Sequence, residues 1–139
     1  MEDRDPAVLV LDDEELVLEF STRAVRTIGY SAVSANNVEN ALDLVNRNPS
    51  LRLLLCDVRI GATTGPEFVR QALRDRPHLK VVFMSGGFED VRFRHTDPLL
   101  IKPFDHLQLK TAIESVLVAT EPAFVALAVG ERRRVHASS

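Results

Sequence analysis

Five polar residues in this chain stand where apolar runs end and have side chains suited to chemistry: Asp12, Asp13, Asp57, Ser85 and Lys102. Carboxylates brought together repel one another unless a cation neutralises them, and a set offering only oxygen suits Mg²⁺ or a similar hard ion. No His/Cys set with zinc-ligand character accompanies them. A lysine adds a fixed positive charge that can hold the oxygens of a phosphoryl group beside the metal, and a serine hydroxyl adds a donor to the same group. Metal, lysine and hydroxyl together are the electrostatic equipment of phosphoryl transfer. A carboxylate can itself be the nucleophile, giving an acyl phosphate. Asp57 is the candidate for that role. Each residue also has a plain structural role open to it: Asp12 and Asp13 as caps of a following helix, Asp57 as a cap of a loop, Ser85 as a turn residue before Gly86-Gly87, and Lys102 as a solvated charge.

The elements that would have to position these groups are legible in the apolar pattern. Leu51-Arg52-Leu53-Leu54-Leu55-Cys56 is an almost unbroken apolar run that ends in Asp57. Such runs read as strands buried on both faces of a parallel sheet. Ala7 to Leu11 is a second such run and leads into Asp12 and Asp13; Leu79 to Met84 leads into Ser85; Leu99-Leu100-Ile101 leads into Lys102. Tyr30 to Ala35 is a short alternating strand. Between them lie helical stretches. Leu16, Phe20, Ala24 and Ile28 step by four and predict the inner face of the first helix, stopped by Gly29. Asn36 with Glu39 resembles a capping box for the second, with Val38, Ala41, Leu42 and Val45 inward. Val58 to Thr64 reads as a loop, and Gly65-Pro66 opens a third helix with Phe68, Val69, Ala72 and Leu73 inward. Asp105 with Gln108 caps a last helix whose inner face is Leu109, Ala112, Ile113, Val116 and Leu117.

Five alternations of strand and helix argue an α/β fold with a parallel sheet and helices on both faces, and five such units fit the flavodoxin-like strand order 2-1-3-4-5. In an open parallel sheet the carboxyl ends of the strands share one edge, where ligands bind. The polar residues at four strand ends can therefore converge. Phe88 to Pro98 has a poor helical stripe, so the fourth helix is expected to be short or missing.

Composition is consistent with this reading. At 139 residues and 45% hydrophobic content the chain makes one ordinary domain, and its net charge of -3 does not suggest a nucleic-acid-binding surface. The single cysteine, Cys56, lies within the apolar run and reads as a small buried residue in a reducing compartment. The acidic N-terminus lacks the apolar stretch of a signal peptide, and no apolar run approaches the length of a membrane span, so a cytoplasmic location is expected.

The acid pair Asp12-Asp13, Asp57 after Leu-Arg-Leu-Leu-Leu-Cys, Ser85 after Val-Val-Phe-Met, and Ile101-Lys102-Pro103-Phe104 resemble a receiver domain, the CheY-like phosphoacceptor module of two-component signalling. The resemblance covers roughly residues 7–119, within a receiver domain taken as residues 1–120. It implies that Asp57 attacks the phosphohistidine of a sensor histidine kinase or phosphotransfer protein, or a small phosphodonor, with Lys102 and Ser85 assisting. It further implies Mg²⁺ as cofactor, with Asp13 and Asp57 as direct ligands, Asp12 acting through water and the Arg59 carbonyl adding one oxygen. A cis peptide before Pro103 is implied as well. The activity expected is self-catalysed phosphotransfer and autodephosphorylation only, so the chain reads as a signalling switch and not an enzyme.

Three departures from the family pattern bear on mechanism. Leu99 stands where the family usually has an aromatic switch residue. The shortened fourth helix puts the usual dimerisation mode in doubt, so a homodimer would use a non-standard surface. Arg59, long and cationic, is expected near the phosphoryl group, altering the lifetime of the acyl phosphate. The same Arg59 occupies the position where an aspartate-nucleophile phosphatase needs its second acid, which argues against that class. A nucleotide-binding module is argued against by Asp12-Asp13-Glu14-Glu15, which would repel a cofactor phosphate. A phosphate-independent, receiver-like scaffold is the remaining alternative. Residues 121–139 read as a tail or linker remnant too short for a DNA-binding output domain; its apolar segment, Ala123 to Val129, precedes Arg132-Arg133-Arg134, and it could instead dock on the receiver or a partner.

Overall fold

The computed structural model describes residues 5–87 and 97–117. The chain forms β1 (Val8–Leu11), α1 (Glu15–Thr27), β2 (Ala32–Ala35), α2 (Val38–Arg47) and β3 (Leu53–Asp57). Two-residue strands β4 (Arg59–Ile60) and β5 (Thr63–Thr64) follow, then α3 (Gly65–Asp75), β6 (Lys80–Ser85), β7 (Leu99–Ile101) and α4 (His106–Leu117). Five strands make one parallel sheet in the order β2-β1-β3-β6-β7. With the small β4-β5 hairpin set aside, this is the expected order 2-1-3-4-5.

The interiors of the central strands are apolar, and both faces of the sheet are covered. Leu9, Leu11, Leu54, Cys56, Val81 and Phe83 pack on one side with α2 and α3, through Ala41, Val45, Phe68, Val69 and Ala72. Val8, Val10, Leu53, Leu55, Val82 and Met84 pack on the other with α1 and α4, through Leu18, Val25, Leu109 and Ile113. Each large side chain removed from water contributes roughly 1.5–3 kcal/mol, and the two layers together hold the sheet between them. Register then sets the site: Leu11 lies opposite Cys56, Asp57 opposite Met84 and Ser85 opposite Ile101. Asp12, Asp57, Ser85 and Lys102 thus fall at one edge.

Local details differ from the sequence reading in three places. The buried face of α1 is Leu18, Ser21, Thr22, Ala24 and Val25, whereas Leu16 is 80% and Phe20 43% exposed. A four-residue step drifts by roughly 40° per repeat on a helix of 3.6 residues per turn, so Leu16 and Ala24 cannot share one narrow face. Two hydroxyl residues disguise the true face, and both are satisfied inside it: Thr22 Oγ1 donates to the Leu18 carbonyl at 2.7 Å and Ser21 Oγ to Met84 Sδ at 3.7 Å. The cap of α2 is Asn37, not Asn36; its side chain accepts from the Asn40 N–H at 2.8 Å. Finally, the loop after Asp57 contains the β4-β5 hairpin, in which Arg59 pairs with Thr64 and Ile60 with Thr63. The expected reduction of the fourth helix falls largely on residues 88–96, and the tail on 121–139, both outside the described residues.

Candidate functional site

The chain leaves β1 directly into Asp12, which is fully buried. Its Oδ1 accepts from the Glu14 N–H at 2.9 Å, at the entrance to α1, while its Oδ2 accepts from Lys102 Nζ at 3.0 Å. Helix entry and site chemistry are therefore served by different oxygens of one carboxylate. Asp13, exposed beside it, accepts through Oδ2 from the Gly61 N–H at 2.7 Å. Gly61 has φ +58, a left-handed conformation suited to glycine, and begins the two-residue turn between β4 and β5. The hairpin missed in the sequence thus links Asp13 to the segment after Asp57. The Gly61-Ala62 pair was its one available signal.

Asp57 ends β3 with Oδ2 accepting from Lys102 Nζ at 2.8 Å and Oδ1 from the Arg59 N–H at 3.3 Å. Asp12, Asp13 and Asp57 each offer a carboxylate oxygen within 4.8 Å of the others. Lys102 follows β7, and its peptide bond to Pro103 is cis, as the resemblance implied. Ser85, at the end of the neighbouring β6, is buried, and its Oγ accepts from the Gly87 N–H at 3.2 Å.

The charges balance only in part. Burial pushes the Asp57 carboxyl above its ordinary value, and the nearby Asp12 charge adds to the rise, while the bond from Lys102 opposes it. Burial works against the charge of Lys102, yet its bonds to Asp57 and Asp12 outweigh that effect and its pKa is raised. One ammonium facing three carboxylates leaves the cluster net negative. An oxygen-only donor set with excess negative charge fits a hard divalent cation such as Mg²⁺.

A cleft of about 990 Å³ opens on these groups. Asp13, Asp57, Arg59 and Lys102 line its charged end, and Gly86 adds no side chain to it. Its opposite wall is apolar: Leu16, Phe20 and Phe104. The Phe20 ring lies 5.9 Å from that of Phe104 and 5.9 Å from that of His106, the latter pair edge to face. Sequence periodicity assigned Leu16 and Phe20 to the core, so this wall went unrecognised.

Residues 8–114 match the family model of the response regulator receiver domain. The chain belongs to this family. Among curated relatives, the receiver aligns at 28% identity with the sensor kinase CckA of Brucella abortus, over 79% of this chain and 12% of that protein. It is 29% identical to the phosphate regulon transcriptional regulatory protein PhoB of Pseudomonas aeruginosa, over 83% of this chain and 53% of that one. The response regulator receiver protein CpdR of Brucella abortus is 27% identical over 81% of this chain and 97% of its own length. The receiver thus spans about half, or far less, of several longer relatives. Solved structures share the fold: a receiver domain protein of Clostridium thermocellum superposes with a TM-score of 0.74 at 21% identity, covering 81% of this chain and 94% of that one. The response regulator TrrA of Thermotoga maritima, solved in complex with Mg(2+)-BeF, superposes with a TM-score of 0.71 at 21% identity, over 81% and 99% of the two chains. Among the described residues, no helix is long and apolar enough to cross a membrane.

Proposed function

We propose that this receiver is a phosphoacceptor switch in a two-component phosphorelay, with Asp57 as the acceptor. A carboxylate oxygen of Asp57 bonds to phosphorus as the bond from phosphorus to the imidazole nitrogen of a phosphohistidine breaks, and the imidazole leaves with the electron pair. The donor is a sensor histidine kinase or a phosphotransfer protein. The observation that carries the reading is the Lys102 ammonium, bonded at once to Asp57 and Asp12 beside a third carboxylate. Lys102 offers its charge to the phosphoryl oxygens as they arrive, and Ser85 stands at the adjoining strand end to donate a hydroxyl. Asp12, Asp13 and Asp57, with the Arg59 carbonyl, would hold Mg²⁺, which supplies neutralisation of the phosphoryl charge when bound. Residues 1–120 form this switch, which works in the cytoplasm by changing which partners it binds and catalyses only its own phosphorylation and dephosphorylation.

Intact mass after incubation with a small phosphodonor and Mg²⁺ tests the proposal. One added phosphoryl group is expected, lost in Asp57→Asn and without metal. A group that persists in Asp57→Asn would reassign the acceptor. Failure to gain mass, together with failure to bind beryllofluoride, would instead support a receiver-like scaffold acting without phosphate.

A further inference from the structure

Two residues of the apolar cleft wall, Leu16 and Phe20, are also open to solvent, and Phe20 touches His106, the neighbour of Leu107. Leu16 and Phe20, near the start of α1, and Leu107, 70% exposed in the first turn of α4, are large apolar side chains open to solvent. The two helix starts are held together by the ring contacts of Phe20 with Phe104 and His106. Exposed acids stand next to Leu16 and Phe20 in the sequence: Asp13, Glu14, Glu15 and Glu19, the last already paired with Arg23 at 3.1 Å. A segment that covers this surface must be apolar, with cations close by in sequence.

The chain carries such a segment. Ala123-Phe124-Val125-Ala126-Leu127-Ala128-Val129 is uncharged and apolar, and Arg132-Arg133-Arg134 follows after Gly130-Glu131. It can also reach. The 12 residues of α4 return the chain to the sheet edge opposite the site, about 17 Å from the first turn of α4. The five residues 118–122 between α4 and this segment have a contour length of up to about 17 Å, which matches that span. So short a tether gives an effective concentration on the order of millimolar, which populates even a weak contact.

We propose that residues 123–134 dock in cis on the face formed by Leu16, Phe20 and Leu107, with Arg132-Arg133-Arg134 against Glu14 and Glu15. Phe124 and Leu127 are the apolar anchors.

Paramagnetic broadening in the full chain tests the docking without any phosphorylation step, so its outcome is independent of the acceptor reading. A nitroxide is attached at Gly130→Cys; the buried Cys56 is shielded from the label. Strong broadening is expected for the amides from Glu15 to Phe20 and for His106 and Leu107. It should be unchanged on dilution with unlabelled protein and lost in Phe124→Asp/Leu127→Asp. Arg132, Arg133 and Arg134 changed to Glu should weaken it several-fold, with recovery when Glu14→Lys and Glu15→Lys are added. Absence of broadening at these amides overturns the proposal, as does indifference to the Phe124 and Leu127 changes. Broadening that fades as unlabelled protein is added assigns the face to a second copy of the chain and equally overturns it.

Discussion

Asp57 is pulled in two directions, and its reactivity follows from the balance. Burial and the neighbouring Asp12 raise its proton affinity, while Lys102 holds it toward the ionised form that a nucleophile needs. Arg59 adds a second cation to the cleft, two residues further along and on its exposed rim. A guanidinium there can pair with phosphoryl oxygens and, through its bulk, exclude the water that hydrolyses the acyl phosphate. Charge pairing that is equal in the ground and transition states leaves the rate unchanged, so exclusion of water is the effect that remains. Arg59→Ala is therefore expected to speed autodephosphorylation by roughly threefold to tenfold, about 1 kcal/mol in barrier. Loss of the added mass with time, in wild type and variant, measures it; an unchanged rate would show that Arg59 lies outside the path of water.

At the scale of elements, the join between β3 and α3 is the tightest constraint on the site. The Gly65 N–H donates to the Val58 carbonyl at 2.6 Å, and a Cβ on Gly65 would run into the Asp57 carbonyl oxygen and lie 3.0 Å from Cys56 Sγ. Backbone cannot yield as a flexible side chain would, so Gly65→Ala must push the first turn of α3 away from the end of β3. Overpacking of this kind costs roughly 1–3 kcal/mol, and here the strand end that moves carries the acceptor. Urea unfolding should show the loss, and the phosphorylation yield should fall further than stability alone accounts for. Sequence reading found this helix start through Gly65-Pro66, and it found the reciprocal cap of α4, where Asp105 and Gln108 each accept the other's backbone N–H at 2.8 and 2.9 Å. Those signals are local, so they survive folding unchanged. The face of α1 was misread because two buried hydroxyls look like surface residues until their partners, Leu18 and Met84, are known. The β4-β5 hairpin was missed because strands of two residues carry no periodicity.

Across the whole molecule, the apolar runs made the site legible because a buried parallel strand has to end where its polar residue begins. Asp12, Asp57, Ser85 and Lys102 could be placed at one edge without any distance being known. What the pattern could not supply was the sharing of one ammonium between two carboxylates, which depends on how β7 lies against β6. That sharing ties the site to the stability of the fold. Lys102→Met would leave Asp12 buried without its cation, at a cost of roughly 3 kcal/mol near neutral pH. Acid should restore part of the loss, because protonation removes the unpaired charge. In the wild type the raised Asp57 pKa has a definite sign: the folded protein holds this proton more tightly than the unfolded chain. The stability it contributes is present below the ordinary value of 3.8 and is lost as pH rises through the folded value. Lys102 acts at the alkaline end, where its charge contributes stability below 10.5 that disappears as pH climbs through its raised folded value. A divalent cation replaces the lost proton as a partner for the carboxylates. Mg²⁺ at about a hundred times its Kd should therefore add about 2.7 kcal/mol at neutral pH, and the gain should shrink in acid as Asp57 regains its proton. Thermal unfolding with and without Mg²⁺, from about pH 4 to neutrality, reads both effects. A metal-induced stabilisation that stays constant across that range would mean that Asp57 is not among the ligands.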